Sequence, residues 1–148
     1  QARVLISSID GVDVIASSPV YETDPVDVLP EYASQSFLNV VLIANSSLNG
    51  NSLLDKLLSI EKEMGREPTR SRNSPRPIDI DVIFAGDLVV KRETGGVPHP
   101  RWAQRRFVVQ PLADLRPNLR IPGDSRTVME VLLALPVTPK VVLFTKQW

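Results

Sequence analysis

Hydrophobic and polar positions along the chain form several short patterns that are typical of strands. The nearly continuous apolar run of residues 37–44 predicts a long central strand that is covered over most of its length. Residues 78–84 alternate between apolar and polar positions, which predicts a strand with one buried face. Residues 12–16 and 141–144 predict two further strands.

Helical spacing of apolar residues is clearest between residues 53 and 64. Asn51 or Ser52 can cap the start of this helix, and Gly65 is a natural residue to end it. Residues 2–9 resemble the end of another helix, and residues 127–135 predict a further amphipathic helix.

A short helix is predicted for residues 101–109, and we expect Pro111 to break it. The turn at residues 85–87 predicts a hairpin that joins the strand at 78–84 to residues 88–90. The sequence contains no repeat and no linker. We therefore predict one α+β domain over residues 1–148, with helices packed on a mostly antiparallel sheet.

Composition narrows the classes of function. The chain has 148 residues, 43% hydrophobic and 23% charged, as expected for a globular protein. Seventeen basic residues balance seventeen acidic ones, which argues against nucleic acid or an anionic membrane as the main partner. The absence of cysteine excludes disulfides and thiolate catalysis, and the single histidine, His99, excludes a His-rich metal site. A reducing compartment suits such a chain, and we expect a cytoplasmic location.

Two acidic residues on the predicted strand at 78–84 are the first candidates for chemistry. Side chains alternate across a strand, so Asp79 and Asp81 are expected on one face and Ile80 on the other. Two carboxylates about 7 Å apart repel each other, and neither has an opposite charge beside it in sequence. Mg²⁺ carrying a polyphosphate would remove that repulsion. Taken alone, such a pair is more often a solvated face.

Arginines close to this strand favour the functional interpretation. Four of them lie in the Pro-rich segment of residues 66–77 that leads into it, namely Arg66, Arg70, Arg72 and Arg76. Guanidinium groups match phosphate oxygens in shape and charge. Acids for a metal and arginines for phosphates are the groups that nucleotide phosphoryl transfer requires, although a solvated basic loop is a common alternative.

A second cluster contains His99, Arg105, Arg106 and Phe107. His99 can donate to phosphate, and an ordinary loop histidine is the alternative. Tyr21, Phe37 and Phe107 can stack on a flat heterocycle, but core packing is the more common role of such residues. No P-loop, dinucleotide-binding glycine motif or nucleophile elbow occurs in the sequence.

Residues 74–84 resemble the signature of the 6-hydroxymethyl-7,8-dihydropterin pyrophosphokinase family, with its Pro-Arg-x-x-Asp-hydrophobic-Asp core. The sequences Val97-Pro98-His99, Ser18-x-x-Tyr21-x-Thr23 and Phe37-Leu38-Asn39 follow the family's order. The resemblance implies a ferredoxin-like α+β fold and transfer of pyrophosphate from ATP to the pterin hydroxymethyl group, with release of AMP. It also implies ATP as co-substrate and two Mg²⁺ ions.

The resemblance implies a role for each matching residue. The expected metal ligands are Asp79 and Asp81. The arginines expected to hold the polyphosphate during catalysis are Arg66 and Arg76. The expected ATP contacts are Glu61, His99 and Arg105. The expected pterin pocket consists of Thr23, Pro25, Val26, Phe37, Asn39 and Phe107.

The chain departs from the family at several positions. The family opens with a strand and a Gly-Ser-Asn-Leu-Gly turn, neither of which occurs after Gln1, and we expect that the sequence lacks its beginning. Asn73 and Ser74 stand where the family often has Trp, so stacking from that loop is expected to be lost. Pro100 and Ala103 replace an aromatic and a basic residue, which leaves the nucleotide contacts there open.

Other functions remain as alternatives. A non-catalytic nucleotide- or RNA-binding module would bind RNA in a salt-dependent way without ATP turnover. A metal-dependent nuclease needs more acidic ligands than we find, and a copy that has lost catalysis would follow if the first strand were absent. The expected partners are small molecules, namely ATP and the hydroxymethyldihydropterin, and neither nucleic acid nor a membrane is expected. Fusion to other folate-pathway enzymes, or association with them, stays open.

Overall fold

The computed structural model describes residues 1–25, 34–66, 77–91 and 96–148. The described chain consists of helices and short strands. In chain order the elements are α1 (Ala2–Ser7), β1 (Val12–Ser17), β2 (Val20–Thr23), β3 (Phe37–Asn39), β4 (Leu42–Ser46), α2 (Gly50–Glu63), β5 (Val90–Lys91), β6 (Gly96–Val97), a 3₁₀ turn (Trp102–Gln104), α3 (Arg106–Leu115), α4 (Val128–Ala134) and β7 (Val141–Thr145).

The strands pair in antiparallel fashion. β2 is the middle strand of a three-stranded sheet between β3 and β7, and Tyr21 of β2 lies opposite Asn39 of β3 and Leu143 of β7. β1 pairs with β4, and β5 pairs with β6. Helices together with antiparallel sheets confirm the α+β class.

The predicted long strand at residues 37–44 is wrong in one respect: it is two strands, β3 and β4, which pair with different partners. The break falls at residues 40–41, where the Val41 N–H donates to the Ser18 hydroxyl over 3.0 Å. Ser18 also lies between β1 and β2. The β1–β2 stretch and the β3–β4 stretch therefore both change their pairing partner at this contact. The run is also less covered than predicted, since Leu38 is largely exposed.

Residues 78–84 form no strand, so the strand predicted there is wrong. The exposure still alternates: Asp79 and Asp81 are exposed, and Ile78, Ile80 and Val82 are partly buried. Backbone groups of this segment form hydrogen bonds that do not belong to a described sheet. The Ile80 N–H donates to the Glu61 side chain, and the Ile83 carbonyl accepts from the His99 N–H over 2.7 Å.

The predicted hairpin from this segment to residues 88–90 is also wrong. The turn exists, since the Leu88 N–H donates to the Ala85 carbonyl over 2.9 Å. However, β5 pairs with β6, so the strand that precedes His99 is the partner.

The helix predicted around residues 53–64 is confirmed as α2, but its cap is Asn49 and not Asn51 or Ser52. The Asn49 side chain accepts from the Ser52 N–H over 2.9 Å and thereby satisfies a free donor in the first turn. Gly65 follows the helix with φ of +96°, a conformation that glycine adopts without strain. The chain therefore turns sharply after α2, immediately before Arg66.

Pro111 does not break its helix, contrary to expectation. It lies inside α3 and leaves the Phe107 carbonyl without its helical donor. Burial of Val109 and Leu112 against α4 favours continuation of the helix by more than the lost bond opposes it. α3 also packs on β2, β3 and β7.

The main core lies between α3 and α4. Its buried members are Trp102, Val109, Leu112, Ala113, Ile121, Val128, Val131 and Leu132. The predicted helix at residues 127–135 is confirmed as α4, where Thr127 and Glu130 form a reciprocal capping box. Among the described residues, none of the helices has both the length and the apolar character needed to cross a membrane.

Candidate active site

Asp79 and Asp81 lie on the exposed side of the extended segment that follows residue 77. Their side chains retain 57% and 44% of their solvent exposure. Exposed carboxylate oxygens are the donors that Mg²⁺ prefers, so the pair fits the chemistry of the predicted metal site. Among the described residues, no group of three or more His, Cys, Asp or Glu side chains is placed to hold an ion.

Glu61 connects this segment to the last turn of α2. It is 1% exposed, and its Oε1 accepts the Ile80 N–H over 2.6 Å, between the two aspartates. Burial raises the pKa of Glu61 above 4.5, and the hydrogen bond from Ile80 and the charge of Arg66 oppose that shift. The buried carboxylate thus holds the backbone at the centre of the predicted metal site.

Arg66 pairs with two acids at once. Its Nη1 donates to Glu61 Oε2 and lies 3.2 Å from Asp79 Oδ1. The sharp turn at Gly65 places this arginine beside the segment that carries Asp79. The predicted catalytic arginine and the predicted metal ligand are therefore in direct contact.

Asp81 has its own cationic partner. Arg105 Nη1 donates to Asp81 Oδ2 over 3.3 Å and lies 3.3 Å from His99 Nε2. His99 Nε2 is 3.7 Å from the same carboxylate oxygen. The two aspartates, which the sequence pattern leaves unpaired, are each paired with an arginine that is distant in sequence.

His99 is 6% exposed, so its protonation follows from its surroundings. Burial lowers the pKa of His99 below 6.5, the charges of Arg105 and Arg101 lower it further, and Asp81 opposes them. His99 Nδ1 accepts the Arg101 N–H over 3.1 Å, so the neutral ring carries its proton on Nε2. Nε2 lies near both Arg105 Nη1, at 3.3 Å, and Asp81 Oδ2, at 3.7 Å.

The predicted pterin residues of β2 and β3 also come together. Asn39 Nδ2 donates to Thr23 Oγ1 over 2.8 Å and to the Phe37 carbonyl over 3.3 Å. Thr23 is buried and Phe37 is partly buried. The Asn39 amide is therefore held in one orientation, as recognition of a hydrogen-bonding ring edge requires.

Phe107 lies beside Arg105 on a helix that packs on the sheet. It lies in the first turn of α3, the helix that packs on β2 and β3, and the Arg105 guanidinium lies 5.6 Å from its ring centroid. Pro25 lies two residues beyond β2 and is partly buried. Pro100 is exposed, and Ala103 lies in the 3₁₀ turn. Arg76, Val26 and Asn73 lie outside the described residues.

One contact in this region has no signal in the sequence. The Tyr21 hydroxyl donates to Asp114 Oδ2 over 2.5 Å, and this bond ties β2 to α3. Burial raises the pKa of Tyr21 to about 12, with a further contribution from Asp114. The two residues are 93 positions apart, and no local pattern could have connected them.

Comparison with known sequences shows the family of this chain. Residues 1–117 match the family of 7,8-dihydro-6-hydroxymethylpterin-pyrophosphokinase (HPPK). A 2-amino-4-hydroxy-6-hydroxymethyldihydropteridine pyrophosphokinase of Pseudomonas aeruginosa is 37% identical over 123 residues, which cover 83% of this chain and 73% of that protein.

Longer proteins also match. A folate synthesis bifunctional protein of Arabidopsis thaliana is 40% identical over 115 residues, covering 78% of this chain and 23% of that protein. The folic acid synthesis protein fol1 of Schizosaccharomyces pombe is 37% identical over 136 residues, covering 91% of this chain and 18% of that protein. The matched region is therefore a small part of these two relatives.

Proposed function

Because the chain belongs to the 7,8-dihydro-6-hydroxymethylpterin-pyrophosphokinase family, we propose that it transfers pyrophosphate from ATP to 6-hydroxymethyl-7,8-dihydropterin in folate biosynthesis. The pterin hydroxyl oxygen forms a bond to the β-phosphorus of ATP. The bond between that phosphorus and the α,β-bridging oxygen breaks, AMP leaves, and the hydroxyl proton is released. The observation that carries the proposal is the pairing of Asp79 with Arg66 and of Asp81 with Arg105, within 3.3 Å in both cases.

The negative charge of the polyphosphate is the main obstacle to this reaction, and the candidate site is built to neutralise it. Arg66 and Arg105 lie at either end of the Asp79–Asp81 segment, and each supplies a fixed positive charge. The neutral His99 ring adds a donor at Nε2. Preorganised donors of this kind need little reorganisation during the reaction. Arg76 is proposed to act with them.

Asp79 and Asp81 would hold the two Mg²⁺ ions that family membership suggests, and bound Mg²⁺ would neutralise part of the phosphate charge. Their exposed carboxylates fit that role, and the arginine pairs must then exchange partners. Arg66, which would keep its contact with Glu61, and Arg105 would turn from Asp79 and Asp81 to phosphate oxygens, for which the guanidinium fork is equally suited.

The pterin is proposed to lie against β3 and the start of α3. Phe37 and Phe107 would provide two aromatic faces, and the Asn39 amide would read the polar edge of the ring. Thr23 fixes that amide by accepting its Nδ2 hydrogen bond. Pro25 and Val26 are proposed to complete the lining.

Several broader points belong to the same proposal. We propose that residues 1–148 form one domain, and the ferredoxin-like topology stays a prediction. Association with other folate enzymes is supported by the name of the Arabidopsis bifunctional protein. The cytoplasmic location also stays a prediction, and the name of a relative from Pisum sativum includes the word mitochondrial.

The proposal is tested by AMP formation from ATP, Mg²⁺ and the dihydropterin. We expect Asp79→Asn and Asp81→Asn to abolish turnover while the far-ultraviolet circular dichroism stays unchanged. Asp87→Asn is the matched control, because Asp87 is an exposed residue of the nearby turn. Normal turnover in a folded Asp79→Asn protein would refute the proposal that Asp79 is a Mg²⁺ ligand. Salt-dependent RNA binding without AMP formation by the wild type would favour a binding module instead.

A further inference from the structure

The Arg106 side chain links the start of α3 to the end of α4. Its Nη1 lies 3.4 Å from the Leu132 carbonyl, 3.1 Å from that of Leu135 and 3.3 Å from that of Pro136. Nη1 carries two hydrogens, so the three oxygens share them. Leu132 lies in the last turn of α4, and Leu135 and Pro136 follow directly, so the three oxygens lie at the negative end of the helix dipole, which favours a cation there.

The same residue is in an unfavourable position for its own helix. Arg106 is the first residue of α3, where a positive charge meets the positive end of the helix dipole. The residue before it makes no side-chain cap, and the first turn contains no acid. Within the described structure, the carbonyls at the end of α4 give the Arg106 charge a favourable environment that the start of α3 does not provide.

The neighbours of Arg106 in sequence belong to the candidate site. Arg105 contacts Asp81, and its guanidinium lies over the ring of Phe107. Both residues flank Arg106 directly, so the backbone that Arg106 anchors also carries one predicted phosphate contact and one predicted pterin contact. A shift of the first turn of α3 would move both side chains together.

We propose that Arg106 is a positioning residue for the transfer reaction: by holding the first turn of α3 on the end of α4, it sets the placement of Arg105 against Asp81 and of Phe107 against the pterin. This inference rests on the proposed function. It assigns Arg106 no contact with substrate, and it gives the two adjacent arginines different roles, since Arg105 contacts Asp81 and Arg106 contacts the end of α4.

The test compares Arg106→Met with Arg116→Met. Arg116 lies just beyond the other end of α3, and its Nη1 donates to the Leu115 carbonyl over 2.9 Å. Each substitution therefore removes an arginine at one end of α3 that donates to a backbone carbonyl. Displacement by about 1 Å costs on the order of 10²-fold in rate. We therefore expect kcat/KM to fall by roughly 10- to 100-fold in Arg106→Met, and to stay near the wild-type value in Arg116→Met.

A second readout needs no substrate. His99 is the single histidine, and its Nε2 lies 3.3 Å from Arg105 Nη1. Its ring NMR signal, recorded at one fixed pH above its usual pKa, reports the placement of Arg105. We expect that signal to shift in Arg106→Met and to remain in place in Arg116→Met. Arg106→Lys keeps a charged donor and is expected to recover part of both effects.

Several outcomes would overturn the proposal. A lower melting temperature with wild-type kcat/KM and an unshifted His99 signal would show that Arg106 only stabilises the fold. If Arg106→Met does not fold, Arg106→Lys and Arg106→Gln decide, because wild-type kinetics and signals in both would also contradict the proposal. Absence of AMP formation in the wild type would refute the proposed function instead, while the His99 signal would still test the link between Arg106 and Arg105.

Discussion

The Ile80 N–H donates to Glu61 Oε1 over 2.6 Å, so a buried carboxylate of α2 holds the backbone between Asp79 and Asp81. Residues 78–84 lie in no described ladder, and this contact takes the place of a strand neighbour in fixing the segment. The two exposed aspartates therefore depend for their position on an acid that is itself inaccessible.

Removal of this acid should destabilise the protein. Glu61→Ala removes the acceptor of the Ile80 N–H and the buried one of the two acids that pair with Arg66. Breaking a buried ion pair costs about 3–5 kcal/mol, and because Arg66 is partly exposed we expect a loss near the lower end, about 3 kcal/mol. Urea denaturation measures the free energy of unfolding. Glu63→Ala is the control, because Glu63 is an exposed residue of the same turn, and an equal loss in both variants would contradict the role of Glu61.

The Tyr21–Asp114 bond predicts a stability change at high pH. The folded state raises the pKa of Tyr21 from 10.0 to about 12 and so retains the proton more tightly than the unfolded state does. The resulting stabilisation is fully present below pH 10 and is lost as the pH rises through about 12. Tyrosinate absorbance and unfolding curves measured across this range should show both effects.

Tyr21→Phe should remove the late tyrosinate transition, and Tyr32→Phe, at the other tyrosine of the chain, should leave it in place. Asp114→Asn should lower the Tyr21 pKa only in part, because burial is the larger cause. A late transition that survives in Tyr21→Phe would refute the assignment.

Arg105→Ala separates a catalytic effect from a stability effect. Loss of one preorganised charge contact costs on the order of 10²–10³ in kcat. The pair with Asp81 is partly exposed, and such pairs contribute about 0–1 kcal/mol to stability. We therefore expect a large loss of AMP formation with a nearly unchanged melting temperature. Arg126→Ala breaks another Arg–Asp pair, with Asp124, and should leave the rate unchanged; similar rates in the two variants would count against a role for Arg105.

Thr23→Val tests the orientation of the Asn39 amide. The substitution keeps the shape of the side chain and removes the acceptor of the 2.8 Å bond. A hydrogen bond contributes about 0.5–1.5 kcal/mol, so the KM for the pterin should rise by roughly two- to tenfold, with that for ATP unchanged. Thr145→Val in β7 is the control in the same sheet. An equal rise of both KM values would indicate a general disturbance of the site.

Local patterns predicted the elements whose signals lie within a few residues. The helix α2 with its terminating glycine, the helix α4 and the strand β7 were all predicted from neighbouring positions, although the α2 cap is Asn49 and not Asn51 or Ser52. The division between β3 and β4 was missed because it depends on Ser18, which binds Val41 from 23 positions away. α3 continues through Pro111 because its buried face has a partner in α4, which local propensity does not register.

In the candidate site, too, some features could be predicted from the sequence and others depend on contacts between distant residues. The resemblance assigned expected roles to Asp79 from its motif and to Glu61 and Arg66 from their position, and in the structure Arg66 contacts both acids. The pairing of each aspartate with a particular arginine could not be predicted, because it follows from the turn at Gly65 and from the approach of α3. Alternation in sequence indicated which side of the segment is exposed, although no ladder holds that segment.

Arg66 bridges an acid that stays in the interior and one that faces the solvent. If Asp79 is taken up by another positive charge, the guanidinium keeps Glu61 as a permanent counter-ion and does not become an isolated charge. Asp79 can thus change partner without leaving the Arg66 charge unpaired, whereas Glu61 keeps its contact. Arg66 therefore stays neutralised by Glu61 whichever partner the exposed Asp79 takes.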